Sequence, residues 1–315
     1  MEFRSLKFFL DAMNAGSLTK AADQNFVTPS AVSQQLKALE REVGAKLFFR
    51  EQGGLVITDA GKVVADHARE ILNHVERINS DVKALEGKVS GNLRVGAIYS
   101  VGLYFLSKFV SEFIRSFPDA NLDIAYLRNV DITQSVIAGH LDLGVVAYPP
   151  MIEGLTVIPI IEEPIVLIVP PEHRFASWKT CNPADLANEP FIAFQARKPS
   201  AIAIKRYLNS EMVQVRVIHE FDNIDMIKRA VEVGAGIALV PLLTVERECE
   251  RGDLVAIPFA GNSLIRPVAF IHRRPLNTAA KAFVGLLTGK DLKPKRQKKP
   301  PVENGKPSPA GRRNG

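Results

Sequence analysis

Through residue 88 the apolar residues of this chain mostly recur every three or four positions, and from residue 91 onward they gather in short β-rich runs separated by amphipathic stretches. The first pattern predicts helices, the second an alternation of strands and helices. Leu6, Phe9, Leu10 and Met13 share one helical face. Gly16 ends that helix, and Ser17 caps the next, Leu18 to about Asn25. Asn25-Phe26-Val27 makes a turn. Thr28 is placed to cap a third helix, Pro29 suits its first position, where its missing N–H costs nothing, and Gly44 closes it after Val43. Val32, Leu36, Leu39 and Val43 recur at four, three and four residues and predict a buried stripe. Ser30, Ser33, Gln34, Lys37 and Arg41 lie away from it.

A long helix follows over residues 60–88. Val64, Ala68, Ile71, Val75, Ile78, Val82 and Leu85 alternate spacings of four and three. A sustained 3.5-residue period predicts a narrow seam against a partner helix. A single amphipathic helix lying on its own domain is the other reading of the same stripe.

Beyond residue 91 the predicted order is a strand at Gly91–Gly96, a helix Val101–Arg115 capped by Ser100, a strand Leu122–Leu127, a helix Ile132–Ala138 and a strand Leu141–Tyr148. That βαβαβ order implies parallel strands with right-handed crossovers. A second set begins near Pro164: strands Ile165–Val169, Phe191–Phe194 and Val215–Ile218, helices Ala201–Leu208 and Ile224–Val233, then a strand Pro267–His272 and a last helix Ala279–Leu287. The fold class expected is α/β behind a mainly helical N-terminal unit.

Charge changes the picture less than its total suggests. The chain of 315 residues carries a net charge of +6, but residues 289–315 alone hold nine lysines and arginines against two acids. The remainder is close to neutral, so net charge does not make the folded body a nucleic-acid binder. The tail is also rich in Pro and Gly with almost no apolar residues, and is expected to be disordered. No apolar run approaches the ~18 residues of a membrane span. With no export signal at the N-terminus, the expected setting is the cytoplasm. Cys181 and Cys249 have no metal-ligand spacing and read as free thiols. The six histidines form no ligand pattern, and no nucleophile-elbow or phosphate-loop motif occurs. Catalysis, a metal and a cofactor are therefore not expected.

A short helix, a tight turn and a second helix with a polar leading face is helix-turn-helix geometry, although a plain three-helix bundle shows the same pattern. In the first reading the early turns of the Pro29–Val43 helix enter the major groove of DNA. Gln34 can pair with adenine N6 and N7, Ser30 and Ser33 can reach base edges or phosphates, and Lys37 suits a phosphate. In the C-terminal region, open α/β sheets bind ligands beyond the carboxyl ends of their strands. Ser100 stands at such a junction, where it either meets a ligand or only caps its helix.

The run Gly16-Ser17-Leu18-Thr19-Lys20-Ala21-Ala22, then Thr28-Pro29-Ser30-Ala31-Val32-Ser33-Gln34-Gln35-Leu36-Lys37-Ala38-Leu39-Glu40, then Gly44-Ala45-Lys46-Leu47-Phe48-Phe49-Arg50 and Thr58-Asp59-Ala60-Gly61 resembles the N-terminal signature of LysR-type transcriptional regulators. Gly139-His140-Leu141-Asp142-Leu143-Gly144 and Val231–Pro241 resemble the effector domain of that family. The resemblance implies a winged helix-turn-helix over residues 1–59 and a linker and dimerisation helix over 60–88. It implies a periplasmic-binding-protein-like domain over 91–288 with two Rossmann-like lobes, 92–162 plus 268–288 and 163–267, ahead of the basic tail 289–315. It implies DNA contacts at Pro29, Ser30, Ser33, Gln34 and Lys37, and at Arg50 in a wing at about 50–58. Many members carry Arg where this chain has Gln34, and Glu51-Gln52-Gly53-Gly54 lacks the second wing Arg common among them. By position, the effector cleft would include Ser100, Val101, Asn129, Thr133, Tyr148, Phe194, Gln195, Asn223 and Ile224, with Arg128 or Arg197 available to an anionic ligand. The partners implied are a roughly palindromic double-stranded operator, a small-molecule inducer, a second copy in a homodimer or homotetramer, and RNA polymerase. A periplasmic-type solute-binding protein with an unrelated helical N-terminus is the competing reading.

Overall fold

The computed structural model describes residues 1–51, 54–261, 263–273 and 275–289, with the side chains of Arg50 and Glu51 outside that description. The basic segment 290–315 and the wing tip Gln52-Gly53 therefore lie outside the described residues.

The N-terminal unit is built from α1 (Phe3–Ala15), α2 (Leu18–Gln24), α3 (Pro29–Val43), the antiparallel pair β1 (Phe48–Glu51) and β2 (Gly54–Ile57), and the start of α4 (Asp59–Leu85). Its helix boundaries follow local chemistry. The Ser17 side chain accepts from Lys20 N–H, and the Thr28 side chain from Ala31 N–H at 3.2 Å, with Pro29 in the first turn. Gly16 and Gly44 close α1 and α3 at φ of 61° and 74°, a left-handed conformation that glycine reaches without a Cβ penalty. Phe9, Leu39, Leu47, Ala21 and Val32 are fully buried and form the core with Leu6 and Ala12. Glu40 ties the end of α3 to the wing by accepting from Leu47 N–H at 3.0 Å and Lys46 Nζ at 2.8 Å. Thr58 caps α4 and donates to Lys46 O at 2.7 Å.

The apolar stripe of α4 divides. Ala68 is buried in the N-terminal core, and Val64 and Ile71 pack half-buried against it, so this half lies on its own domain instead of forming a free seam. Ile78, Val82 and Leu85 are 63%, 57% and 89% exposed, and Val75 is intermediate. The buried half, Val64 to Leu72, is the one that packs with α1 in the N-terminal core, while α4 also meets β3 and α11 of the following domain. Arg94 then docks the helix on the following domain, donating to Asn73 Oδ1 at 3.2 Å while gripping the Asp142 carboxylate.

The C-terminal region runs β3 (Gly91–Ala97), α5 (Tyr99–Val101), a π-helical turn (Gly102–Leu106), α6 (Ser107–Ser116), β4 (Ala120–Tyr126), α7 (Asn129–Ile137), β5 (Leu143–Ala147) and β6 (Thr156–Val169). A 3₁₀ turn (Pro183–Leu186), β7 (Pro190–Phe194), α8 (Pro199–Ser210), β8 (Arg216–Phe221), α9 (Ile224–Glu232), β9 (Ala238–Pro241) and a second 3₁₀ turn (Leu242–Thr244) follow. The described chain ends with α10 (Glu246–Arg251), β10 (Val255–Ile257), β11 (Ile265–His272) and α11 (Thr278–Thr288).

Two lobes share β6. Residues Thr156–Pro164 of that strand pair antiparallel with β11, which pairs with β5, and β5 and β4 flank β3 in parallel. Residues Ile165–Val169 pair with β9 and β10, and a bridge between Phe191 and Ile237 carries the second sheet on to the parallel pair β7–β8. Each lobe has its own core: Phe113, Phe270 and Phe283 fill the first, and Phe175, Leu167 and Leu239 the second.

Two expectations are corrected here. The β-rich run at Ile165–Val169 is only the end of a 14-residue strand. Pro159, Glu162, Glu163 and Pro164 hide the rest from a pattern search, because this stretch crosses between lobes and serves two sheets. Ser100 does not cap the helix after β3. That helix begins at Tyr99 with Ile98 before it, places Ser100 inside the first turn, and passes through a π-turn before α6. A Cβ on Gly102 would lie 2.1 Å from the Tyr126 ring, so the glycine lets the π-turn pack close against that side chain. No helix among the described residues is long and apolar enough to cross a membrane.

Candidate nucleic-acid interface and interlobe cleft

The exposed face of α3 is made by Pro29, Ser30, Gln34 and Lys37, with Ser33 half-buried between them. The adjacent residue Gln35 turns the other way and accepts from Ser5 Oγ of α1 at 2.6 Å, which fixes the roll of α3 about its axis. Gln34 is therefore held outward by the hydrogen bond its neighbour makes inward. The wing places the Arg50 backbone opposite Leu55, and Leu55 N–H donates to Gly16 O at 3.0 Å, so the hairpin is tied to the α1–α2 turn. The Arg50 side chain lies outside the described residues.

The second region lies where the lobes meet. Glu163 on β6 and Arg266 on β11 are 1% and 3% exposed and form an ion pair, with Arg266 Nε 2.9 Å from Glu163 Oε2. The pair reaches into both lobes: Arg266 Nη1 donates to Ser100 Oγ at 3.0 Å, and Glu163 Oε1 accepts from Leu243 N–H at 3.2 Å. Burial raises the Glu163 pKa although Arg266 opposes the shift. Its satisfied hydrogen bonds hold a charge that is costly to bury alone.

Beside this pair stand two buried polar atoms without a partner, Asn129 Oδ1 and Tyr148 Oη. Asn129 Nδ2 donates to Ala147 O at 2.7 Å, so its amide sits against the end of β5, next to Tyr148. Tyr148 has a φ of 51°, and burial pushes its phenol up to about 12, with Arg266 and Glu163 acting on it at longer range. It is a neutral hydroxyl at any ordinary pH. Among the described residues Arg77 Nε, Ser90 Oγ and Glu248 Oε2 are also buried without a partner, but Asn129 and Tyr148 stand together at the end of β5.

A further cluster spans the lobes. Tyr104, from the π-turn of the first lobe, donates to Asp225 Oδ1 and accepts from Lys228 Nζ, both on α9 of the second lobe. Lys228, 3% exposed, also reaches Glu248 Oε1 at 2.8 Å and Thr244 O at 2.9 Å. Burial works against its charge, but the bonds from Glu248, Tyr104 and Asp225 outweigh that and raise its pKa.

The remaining cleft residues scatter. Thr133 is buried and donates to Asn129 O, which steadies that side chain's helix. Asn223 caps α9 by accepting from Asp225 N–H, and Gln195 is exposed beyond β7 beside the half-buried Phe194. Val101 and Ile224, expected on the wall, pack inside the two lobes at 2% and 4% exposure, because each helix turns its apolar face to the sheet. Arg128 is committed to Asp131 at 2.7 Å. Tyr104, Glu163, Lys228 and Arg266 carry no local sequence signal, since their partners in the other lobe or crossing strand stand 103–166 residues away.

Residues 3–62 match the family described as bacterial regulatory helix-turn-helix protein, LysR family, and residues 86–291 match the LysR substrate binding domain. The chain is 26% identical to the HTH-type transcriptional activator CmpR of Synechocystis sp. over 90% of its length and 93% of that protein. It is 27% identical to the RuBisCO operon transcriptional regulator of Allochromatium vinosum, covering 90% and 94% of the two chains. Among solved structures, a full-length OxyR variant from Pseudomonas aeruginosa superposes with a TM-score of 0.72 at 20% identity, covering 92% of this chain and 94% of that one. Full-length CbnR in complex with its target DNA gives 0.63 at 22% identity, covering 91% and 99%. Outward polar residues on a rigid α3, joined by one long helix to two lobes that share crossing strands, carry both halves of that match: this chain belongs to the LysR family of transcriptional regulators.

Proposed function

We propose that residues 1–59 read a roughly palindromic operator as one half of a homodimer, that α4 pairs the two copies, and that a small molecule seated between the lobes sets how the paired readers lie on DNA. The observation that carries the effector site is the pair of unpartnered buried atoms, Asn129 Oδ1 and Tyr148 Oη, beside Glu163–Arg266. Amide oxygen and phenol together offer an acceptor and a donor. The neighbouring charges already cancel each other, so the ligand is held chiefly by hydrogen bonds. Its differential affinity for open and closed lobes moves the equilibrium between them.

The exposed Ile78, Val82 and Leu85 support pairing through the distal half of α4, which leaves Val64, Ala68 and Ile71 to the reader's own core. A symmetric pair places two copies of α3 on successive major-groove faces. Assembly to a tetramer and contact with RNA polymerase belong to the same reading by family likeness.

The test uses the full chain and an operator duplex selected from random DNA. Small hydroxy acids, phenols and other hydroxylated compounds are screened for a change in footprint or bend. A compound that shifts the footprint of the parent should lose its effect on Asn129→Ala and Tyr148→Phe variants while their DNA affinity without the compound stays unchanged. A response that survives in both variants places the effector elsewhere.

A further inference from the structure

We propose that Phe26 is a DNA contact, its ring lying against the apolar surface of a thymine methyl or the adjoining deoxyribose at the edge of the groove that α3 enters.

Three helices of the N-terminal unit end in the same way, with a left-handed residue after the last turn. Gly16 serves α1 and Gly44 serves α3. After α2 the residue in that slot is Phe26, with φ of 54°. Its N–H donates to Asp23 O at 3.2 Å, and Val27 N–H donates to Ala22 O at 3.1 Å, a closing pattern in which glycine is the usual occupant. A bulky side chain there strains the backbone. Among the described residues the ring gains almost no burial in return: Phe26 is 97% exposed.

The turn around it is held firmly. Asn25 Nδ2 donates to Asp11 Oδ2 at 2.7 Å and to Ala21 O at 2.8 Å, Lys7 Nζ donates to Asn25 Oδ1, and Val27 packs against the core. With its neighbours anchored inward, Phe26 projects outward from a rigid position two residues before the Thr28 cap of α3. The first turns of such a helix are the part that meets base edges, and Phe26 lies three residues ahead of Pro29, in the turn that leads into that face. Its chemistry excludes a phosphate and fits apolar surface. In the major groove that is the C5-methyl of thymine, a recognised partner for phenylalanine, and along the strand it is the sugar. A preorganised ring that is already exposed and fixed loses little freedom on binding.

This rests on the DNA-reading role of α3, and the test separates the two. The full chain and a selected operator duplex are used throughout. Phe26→Gly is expected to raise the melting temperature, because it relieves the left-handed strain, and to weaken operator binding by about ten-fold, the scale of one lost apolar contact. The dependence of Kd on salt should keep its slope, since no phosphate contact is removed. Met212 provides the internal control: it fills the same slot after α8 at φ of 56° and is 91% exposed. Met212→Gly should raise the melting temperature and leave Kd unchanged. Operators with single thymine-to-uracil replacements then separate the two surfaces. A position at which the parent loses affinity and Phe26→Gly does not identifies a methyl contact, and indifference at every position assigns the ring to the sugar. The proposal is overturned if Phe26→Gly binds as tightly as the parent, if its salt slope flattens, or if its melting temperature falls. A Ser33→Ala, Gln34→Ala double variant that loses binding while Phe26→Gly does not would leave the reading of α3 standing and remove this contact alone.

Discussion

Gln34 and Arg266 show how differently the two ends of the chain use polar side chains. Gln34 is exposed on α3, while Arg266 is 3% exposed and is bonded to Glu163 and Ser100. In the reader, apolar residues such as Phe9 and Leu39 hold the body together, and Ser30, Gln34 and Lys37 of α3 stay on the surface. At the lobe junction, polar groups hold the crossing strands and the two lobes to one another. The lesson is that a surface contact can change without disturbing the fold, whereas a charge at the junction serves folding and lobe geometry together.

The largest expected effect comes from breaking the buried pair. Glu163→Ala leaves Arg266 charged and unpaired, and the chain should lose about 3–5 kcal/mol of stability in urea unfolding. Replacing both members, Glu163→Leu with Arg266→Met, should recover most of that loss. A single-variant loss below about 1 kcal/mol would show that this junction does not hold the lobes and would dissolve the contrast with the reader.

The reader should show the opposite separation. A Ser33→Ala, Gln34→Ala double variant should unfold within about 0.5 kcal/mol of the parent, as surface changes do. Its operator affinity should fall at least about ten-fold, the low end for lost base-edge bonds. Fluorescence anisotropy on full-length protein reads the second quantity and thermal melting the first. Equal affinity in a folded, paired variant would mean that α3 does not read the operator.

The smallest effect is expected at the bond between lobes. Tyr104→Phe removes the donor to Asp225 and one acceptor of Lys228, which keeps Glu248, Thr244 O and Asp225. Stability should fall by about 1 kcal/mol. Affinity for DNA without effector should hold, and the effector concentration giving half response should shift. An unmoved response would confine Tyr104 to packing against the second lobe.

Most of the reader was legible residue by residue. Ser17, Thr28, Gly16 and Gly44 mark helix ends by interactions made within a few residues, and the stripe Val32, Leu36, Leu39 repeats at the pitch of the helix itself. In the α/β region the βαβαβ order was legible for the same reason, while β6 was only half visible because its prolines and acids belong to a crossover. Val101 and Ile224 stand where the family pattern places a cleft wall, yet each packs in a core: a pattern along the chain does not say which way a helical residue faces, and that direction turns by about 100° from one residue to the next.

Sequence alone determined the elements, their caps, the apolar stripes and the outward face of α3, because each depends on neighbours at most a turn or two away. Only the tertiary structure decided which half of α4 is covered, that Gln35 meets Ser5, and that Glu163 meets Arg266 while Tyr104 meets Lys228. Those outcomes depend on chain segments brought together across more than a hundred residues in the buried pairs. No local period encodes such a meeting, and the strength of each bond comes from the burial that the meeting itself creates.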